Sequence, residues 1–203
     1  MQVRYVRKTV GLLGGSFNPA HDGHRYISLQ ALKLLELDEV WWLVSPLNPL
    51  KNEGDMASYE RRLETAREVA RHSRIKVSDI ESRIGTRYTI DTLTQLKELY
   101  PDTNFVWLMG ADNLLQLPRW YRWRDIMRTV PIAVFARKHY ALKALHGIAA
   151  RRFRLYRQDP QNAVNLAFGK PPAWVFLPIR KHPASSTEIR QKGLFQIGEK
   201  ECP

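Results

Sequence analysis

At 203 residues with 44% hydrophobic side chains, the chain is long enough to bury a sizeable core within one domain. Its formal charge of +12 favours polyanionic partners, and no apolar run reaches the roughly 18–20 residues that a bilayer span requires. A single cysteine, Cys202, excludes an internal disulfide and makes a reducing cytoplasm the expected compartment; residues 1–8 run straight into a glycine loop that a cleaved leader would destroy.

Residues 9–13 read as a short buried strand, and Gly14 and Gly15 are expected to supply the turn angles and close backbone approach that follow it. Ser16, Phe17, Asn18 and Pro19 then form a loop, Asp22 is the expected N-cap, and apolar spacing over 25–37 predicts a packed helix. Free N–H groups and the dipole at such a helix start favour an anion, and His21 and His24 add donors. Two histidines three apart could also be a metal pair. The sequence offers no obvious partners to close a zinc site, so no protein-held metal is expected. The dinucleotide glycine fingerprint and the P-loop lysine are both missing, so phosphate would be held by another design.

Residues 39–45 read as a second strand, 46–54 as a loop, 58–72 as a charged helix, 75–77 as a short strand and 89–100 as a helix. Strands at 105–109, 131–136 and 174–177 complete the alternation expected of a parallel sheet covered on both faces. Such sheets take ligands beyond the carboxyl ends of their strands. Gly110 and Asp112 follow one strand directly, and Asp112 either accepts from ribose hydroxyls or caps a helix starting at Asn113. Thr89 is a helix start or an N-cap, with Tyr88 before it; Trp120 is a flat face for a ligand ring or a core residue. Residues 137–172 are the least legible, with a helix expected around 142–150, and no domain boundary is drawn there. Arg151, Arg152, Arg154 and Arg157, interleaved with Phe153 and Tyr156, have the composition of a single-strand nucleic-acid face. The simpler reading is a solvated helix or strand edge, and neither a nucleic-acid nor a membrane partner is expected. Ser185 and Glu188 have capping-box spacing, which predicts a helix placing Arg190 in its first two turns. The whole of 1–203 reads as one domain, with 179–203 a short C-terminal helical segment.

Gly14-Gly15-Ser16-Phe17-Asn18-Pro19 with His21-Asp22-Gly23-His24 resembles the first signature of the nucleotidylyltransferase superfamily that carries a His-x-x-His motif. Ala184-Ser185-Ser186-Thr187-Glu188-Ile189-Arg190 resembles its Ser-Ser-Thr-x-x-Arg motif, and the two in this order are far more specific than either alone. Tyr88-Thr89-Ile90-Asp91-Thr92-Leu93 and Leu117-Pro118-Arg119-Trp120-Tyr121-Arg122-Trp123 are similar to segments of the bacterial nicotinate mononucleotide adenylyltransferases. The resemblance implies an α/β fold, a Rossmann-like doubly wound parallel sheet of the nucleotidylyltransferase type. It also implies transfer of AMP from ATP to nicotinate mononucleotide, giving deamido-NAD and pyrophosphate. By the same resemblance His21, His24 and Arg190 would be catalytic, and Gly14, Gly15, Ser16, Phe17, Gly110, Asp112, Ser185, Ser186 and Thr187 would join them around ATP. Ser16, Asn18, Lys51, Tyr88, Thr89, Asp112 and Trp120 would meet the mononucleotide. Mg²⁺ is expected mainly on substrate phosphates, with Lys51 and Lys192 as weaker phosphate candidates.

Three departures stand out. Lys51 occupies a place where many relatives carry a histidine, the chain lacks the longer final helix of many members, and 137–172 matches no family segment. The alternatives are another acceptor (nicotinamide mononucleotide or phosphopantetheine), a basic nucleic-acid-binding protein, and a nucleotide sensor that binds ATP without turnover. A homo-oligomer is left open.

Overall fold

The computed structural model describes residues 7–46, 56–136, 140–180 and 182–195. Seven parallel strands form one sheet among these residues: β1 (Lys8–Gly15), β2 (Glu39–Val44), β3 (Ile75–Ser78), β4 (Thr103–Gly110), β5 (Ile132–Phe135), β6 (Arg157–Gln158) and β7 (Trp174–Leu177). Their order is β3-β2-β1-β4-β5-β7-β6. The chain therefore moves outward from β1 to β3 and then returns to the other side of β1, so the order reverses between β1 and β4. Loops leaving the carboxyl ends of these two strands diverge and leave a crevice. Gly15 and Gly110 end the two strands, and both lie where the resemblance puts ligand.

Alternation along the central strands explains why both faces must be covered. Leu13, Val106 and Leu108 point into one apolar cluster with Ile27, Leu32, Trp42 and Leu63, whereas Leu12, Trp107 and Met109 point into the other with Leu93, Leu96 and Ile126. The first cluster is covered by α1 (Asp22–Leu34), α2 (Tyr59–Ala70) and a 3₁₀ segment, Pro160–Phe168. The second is covered by α4 (Thr89–Leu99) and α6 (Trp123–Thr129), which follow the short α3 (Ile80–Arg83) and α5 (Ala111–Gln116). A two-way clasp fixes the other end of the sheet, where the Thr9 N–H and hydroxyl donate to Asp38 Oδ2 at 2.7 and 2.9 Å. No helix among the described residues is long and apolar enough to cross a membrane.

Several expected boundaries move. Gly14 and Gly15 lie inside β1 rather than in a turn, and the left-handed residue of the loop is Phe17, at φ 45°. Gly14 is needed for packing: a Cβ there would come within 2.3 Å of the Trp107 ring. Helix α1 stops at Leu34, because Glu36 turns left-handed at φ 49° and sends Leu37 into the core. The single helix expected over 142–150 is two short ones, α7 (Ala141–Leu145) and α8 (Ile148–Arg152), interrupted at Gly147. The arginine cluster sits on a solvated helix end and a strand edge: Arg151 and Arg152 are exposed on α8, and Arg157 on β6 lies over the Trp174 ring at 5.6 Å.

Gly14→Ala should cost about 2 kcal/mol or more, since the rigid, buried indole of Trp107 must move to admit one methyl. A Cβ at Gly15 meets nothing nearer than 3.6 Å, so Gly15→Ala should cost less than about 1 kcal/mol. Urea unfolding of the two variants checks the contrast; equal losses would remove the packing argument.

Candidate active site

The loop after β1 carries the first site residues, and its start is organised by the histidines themselves. His21, not Asp22, is the N-cap of α1: the Gly23 N–H donates to His21 Nδ1 at 3.1 Å, and the His21 N–H donates to His24 Nδ1 at 3.2 Å. Together they make a reciprocal capping box with imidazoles in place of the usual hydroxyl and carboxylate. Because each Nδ1 accepts, each neutral ring keeps its proton on Nε2, the nitrogen turned away from the backbone it caps. The rings lie 3.9 Å apart between centroids. Gly23 permits the fold-back, since a Cβ there would come within 2.8 Å of the His21 ring and 3.2 Å of the Ala184 carbonyl.

His24 is also fixed from behind. Its carbonyl accepts from Ser28 Oγ at 2.9 Å, and that hydroxyl accepts from Trp42 Nε1 at 2.7 Å. Phe17 is buried against the same wall, stacked on Trp42 at 5.1 Å and tilted toward His24 at 4.8 Å. Its ring belongs to the core, which leaves its main chain to face a ligand.

The second motif docks directly on this loop. Helix α9 (Ser186–Gln191) begins beside it, where the Ser186 hydroxyl donates to the Pro19 carbonyl at 3.0 Å and Arg190 Nη1 donates to the Asn18 carbonyl. These partners are 167 and 172 residues apart in sequence. The expected capping box does not form: Ser185 is at the N-cap position but makes no side-chain cap bond. Thr187 and Lys192 are exposed, and Arg190 is half-buried against the loop rather than solvated.

Asp112 is not the N-cap of its helix. Helix α5 begins two residues earlier than expected, at Ala111 with Gly110 in the N-cap place, so Asp112 lies within its first turn. Thr89 is likewise the first residue of α4 and not its cap; Tyr88 occupies the N-cap position, and no side-chain bond caps the helix. Trp120 stands half-buried at right angles to Trp107, with centroids 6.5 Å apart, and Trp107 is the residue that presses on Gly14. Tyr88 meets Tyr121 at 4.5 Å. The structure thus brings the α4 start and the Trp120 segment together, and Trp120 leans through Trp107 on the end of β1. Lys51 lies outside the described residues.

The family pattern described as cytidylyltransferase-like matches residues 12–192. The chain belongs to this family. A protein of Parvibaculum lavamentivorans is 54% identical over 93% of this chain and 94% of its own, and one of Ruegeria sp. is 51% identical over 92% and 98%. Both are called probable nicotinate-nucleotide adenylyltransferase. Among solved structures, Plasmodium falciparum nicotinic acid mononucleotide adenylyltransferase complexed with NaAD shares the fold at a TM-score of 0.67 and 20% identity, covering 91% of this chain and 83% of that one.

Two buried polar residues of this cytidylyltransferase-like chain escaped the sequence reading. Arg62 on α2 is 1% exposed and donates only to main-chain carbonyls: Nε to Ala57 at 3.1 Å, Nη1 to Ser16 at 2.8 Å and Ser45 at 2.7 Å, and Nη2 to Pro46 at 3.0 Å. It therefore ties the loop after β1 to the loop after β2 and to the start of α2. Its place on the same helical face as Ala66 was the available signal. Glu81 on α3 is 8% exposed; burial pushes its carboxyl up to about 7, against the downward pull of hydrogen bonds from Thr92 and Ser45. Nothing in the local sequence distinguishes it from a surface carboxylate.

Proposed function

We infer that the chain transfers AMP from ATP to nicotinate mononucleotide, releasing pyrophosphate and deamido-NAD. The observation that supports this most is 54% identity, over nearly the whole length of both chains, to a protein called a probable nicotinate-nucleotide adenylyltransferase. The geometry is suited to the same chemistry. An oxygen of the mononucleotide phosphate attacks the α-phosphorus of ATP, a P–O bond forms, and the bond to pyrophosphate breaks. The nucleophile is already an anion, so the protein's task is alignment and relief of repulsion between two anions.

On this reading His21 and His24 offer Nε2–H donors to the phosphates, and Arg190 adds a guanidinium already fixed to the same loop. Gly14, Gly15, Ser16 and the Phe17 main chain border the triphosphate, with Gly110 and Asp112 across the crevice and Ser185, Ser186 and Thr187 beside Arg190. The donor set, two imidazoles and a guanidinium, suits phosphate oxygens better than a resident cation, so Mg²⁺ enters as part of the ATP substrate. There it neutralises triphosphate charge. The α4 start at Thr89, with no side-chain cap, receives the pyridine carboxylate through backbone N–H groups and the Thr89 hydroxyl. Trp120 presents a flat face to the cationic ring, with Ser16, Asn18, Lys51, Tyr88 and Asp112 completing the acceptor side. The cytoplasm, where ATP is plentiful and thiols stay reduced, is the proposed compartment.

His24→Ala should lower turnover by roughly a hundredfold or more while leaving mononucleotide binding largely intact, as expected for one donor to developing charge. Steady-state kinetics with both substrates reads this, and near-normal turnover would remove His24 from the mechanism. The acceptor assignment is tested by competition between nicotinate and nicotinamide mononucleotides. The wild-type protein should strongly prefer the acid, Thr89→Val should erode that preference while adenylyl transfer persists, and Trp120→Ala should weaken both acceptors alike. Equal use of acid and amide by the wild-type protein would defeat the assignment of Thr89.

A further inference from the structure

The Glu81 carboxyl lies between the two halves of the site. On one side Thr92 Oγ1 donates to Glu81 Oε1 at 3.3 Å, and Thr92 is paired with the buried Thr86 hydroxyl at 2.9 Å. Thr86 begins the turn into α4, and its N–H also donates to the Glu81 carbonyl at 3.0 Å. Thr92 lies within reach of the Tyr88 carbonyl as well, at 3.3 Å, so one hydroxyl touches both the N-cap residue of α4 and the buried acid. On the other side the Glu81 carboxyl is hydrogen-bonded to the Ser45 side chain. The Ser45 N–H donates to the Gly15 carbonyl at 2.9 Å, and the Ser45 carbonyl shares Arg62 Nη1 with the Ser16 carbonyl.

We propose that Glu81 is a positioning residue that ties the acceptor-binding end of α4, through Thr92 and Thr86, to Ser45 beneath the phosphate loop. The proposal rests on the reading of Thr89 as the acceptor end of the site. Neither substrate touches Glu81; it acts by holding 86–89 in place relative to 14–18.

A neutral carboxyl serves this role better than a charged one. Protonated, it both donates and accepts among Thr92 and Ser45; ionised, it puts a negative charge beneath the donors that would receive another carboxylate. Among the described residues, the groups facing it offer little compensation. On α2, the Arg62 guanidinium is engaged with four carbonyls, and the Tyr59 hydroxyl is raised mainly by burial and then by the negative charges of Asp79 and Glu81. At the start of α3, Asp79 pairs outward with Arg83 at 3.0 Å. Among the described residues, α4 and the end of β2 add the hydroxyls of Thr92 and Ser45. With the carboxyl half-protonated at about pH 7, acceptor binding is set to weaken as pH rises through that value.

The test is the KM of wild type and Glu81→Gln for each substrate at pH 6 and pH 8. Taking the ratio of wild type to variant cancels titration of the mononucleotide phosphate, which itself falls near pH 6. The ratio for nicotinate mononucleotide should be near one at pH 6 and rise roughly fivefold by pH 8, as a buried like charge develops, while the ratio for ATP stays flat. A ratio for the mononucleotide that does not change with pH, or an equal change for ATP, would overturn the proposal. Thr92→Val provides a second reading should Glu81→Gln fold poorly: it should raise the mononucleotide KM at pH 6 and leave that of ATP unchanged, and an unaltered mononucleotide KM would again overturn it. If the wild-type protein uses acid and amide equally, the Thr89 assignment falls by itself. The tie between 86–89 and Ser45 is then still read, with whichever mononucleotide is turned over.

Discussion

Three carbonyls in four residues hold the active-site loop. Those of Ser16, Asn18 and Pro19 accept from Arg62, Arg190 and Ser186, which lie 46, 172 and 167 residues away in sequence. Hydrogen bonds from charged donors are worth about 1.5–3 kcal/mol each, more than typical neutral pairs, so the two arginines contribute most of this restraint. The loop's path is thereby fixed from both sides before any ligand arrives. The capping histidines follow immediately, and their orientation depends on the loop entering α1 at the right angle. The reversal of strand order between β1 and β4 supplies the crevice, and the carbonyl clamp decides how its floor is shaped.

This arrangement explains what could be read in the chain beforehand. The strands at 105–109 and 174–177 carry near-continuous apolar runs because a parallel sheet is buried on both faces, and such runs are conspicuous. The two phosphate motifs were legible because their residue types are unusual together. What made them one site was not, since the Ser186 and Arg190 contacts depend on how the whole sheet winds back to β1. The cap of α1 departs from the sequence expectation for a related reason. Aspartate is the ordinary choice, and only the presence of Gly23 lets His21 fold back over its own helix start. At Ser185 the capping-box spacing is present but its side chain makes no cap bond, and the neighbouring hydroxyl, Ser186, is drawn to the Pro19 carbonyl.

Arg62 and Glu81 mark a harder limit. A charged side chain on an amphipathic helix is normally solvated, and what keeps Arg62 inside is a set of carbonyls contributed by 16, 45, 46 and 57. Glu81 is retained by hydroxyls on another helix and at another strand end. Beyond the helical face that Arg62 shares with Ala66, neither environment has a local signature. The region 137–172 was opaque for a simpler reason: two five-residue helices, a two-residue strand and a 3₁₀ segment are each too short to establish a period.

The proposed mechanism asks this scaffold to align two anions and to react with neither. Each histidine uses Nδ1 as an acceptor within the cap, so its remaining nitrogen carries a proton and is a donor, not a nucleophile. The direct measurement is stereochemical. ATP of a single configuration, with sulfur replacing one oxygen at the α-phosphorus, is converted with nicotinate mononucleotide and the configuration of the dinucleotide is determined. One in-line displacement inverts the centre, and inversion is the expected result. Retention would contradict direct transfer, because it requires two displacements and a protein-bound adenylyl group, for which the histidines would have to surrender the cap.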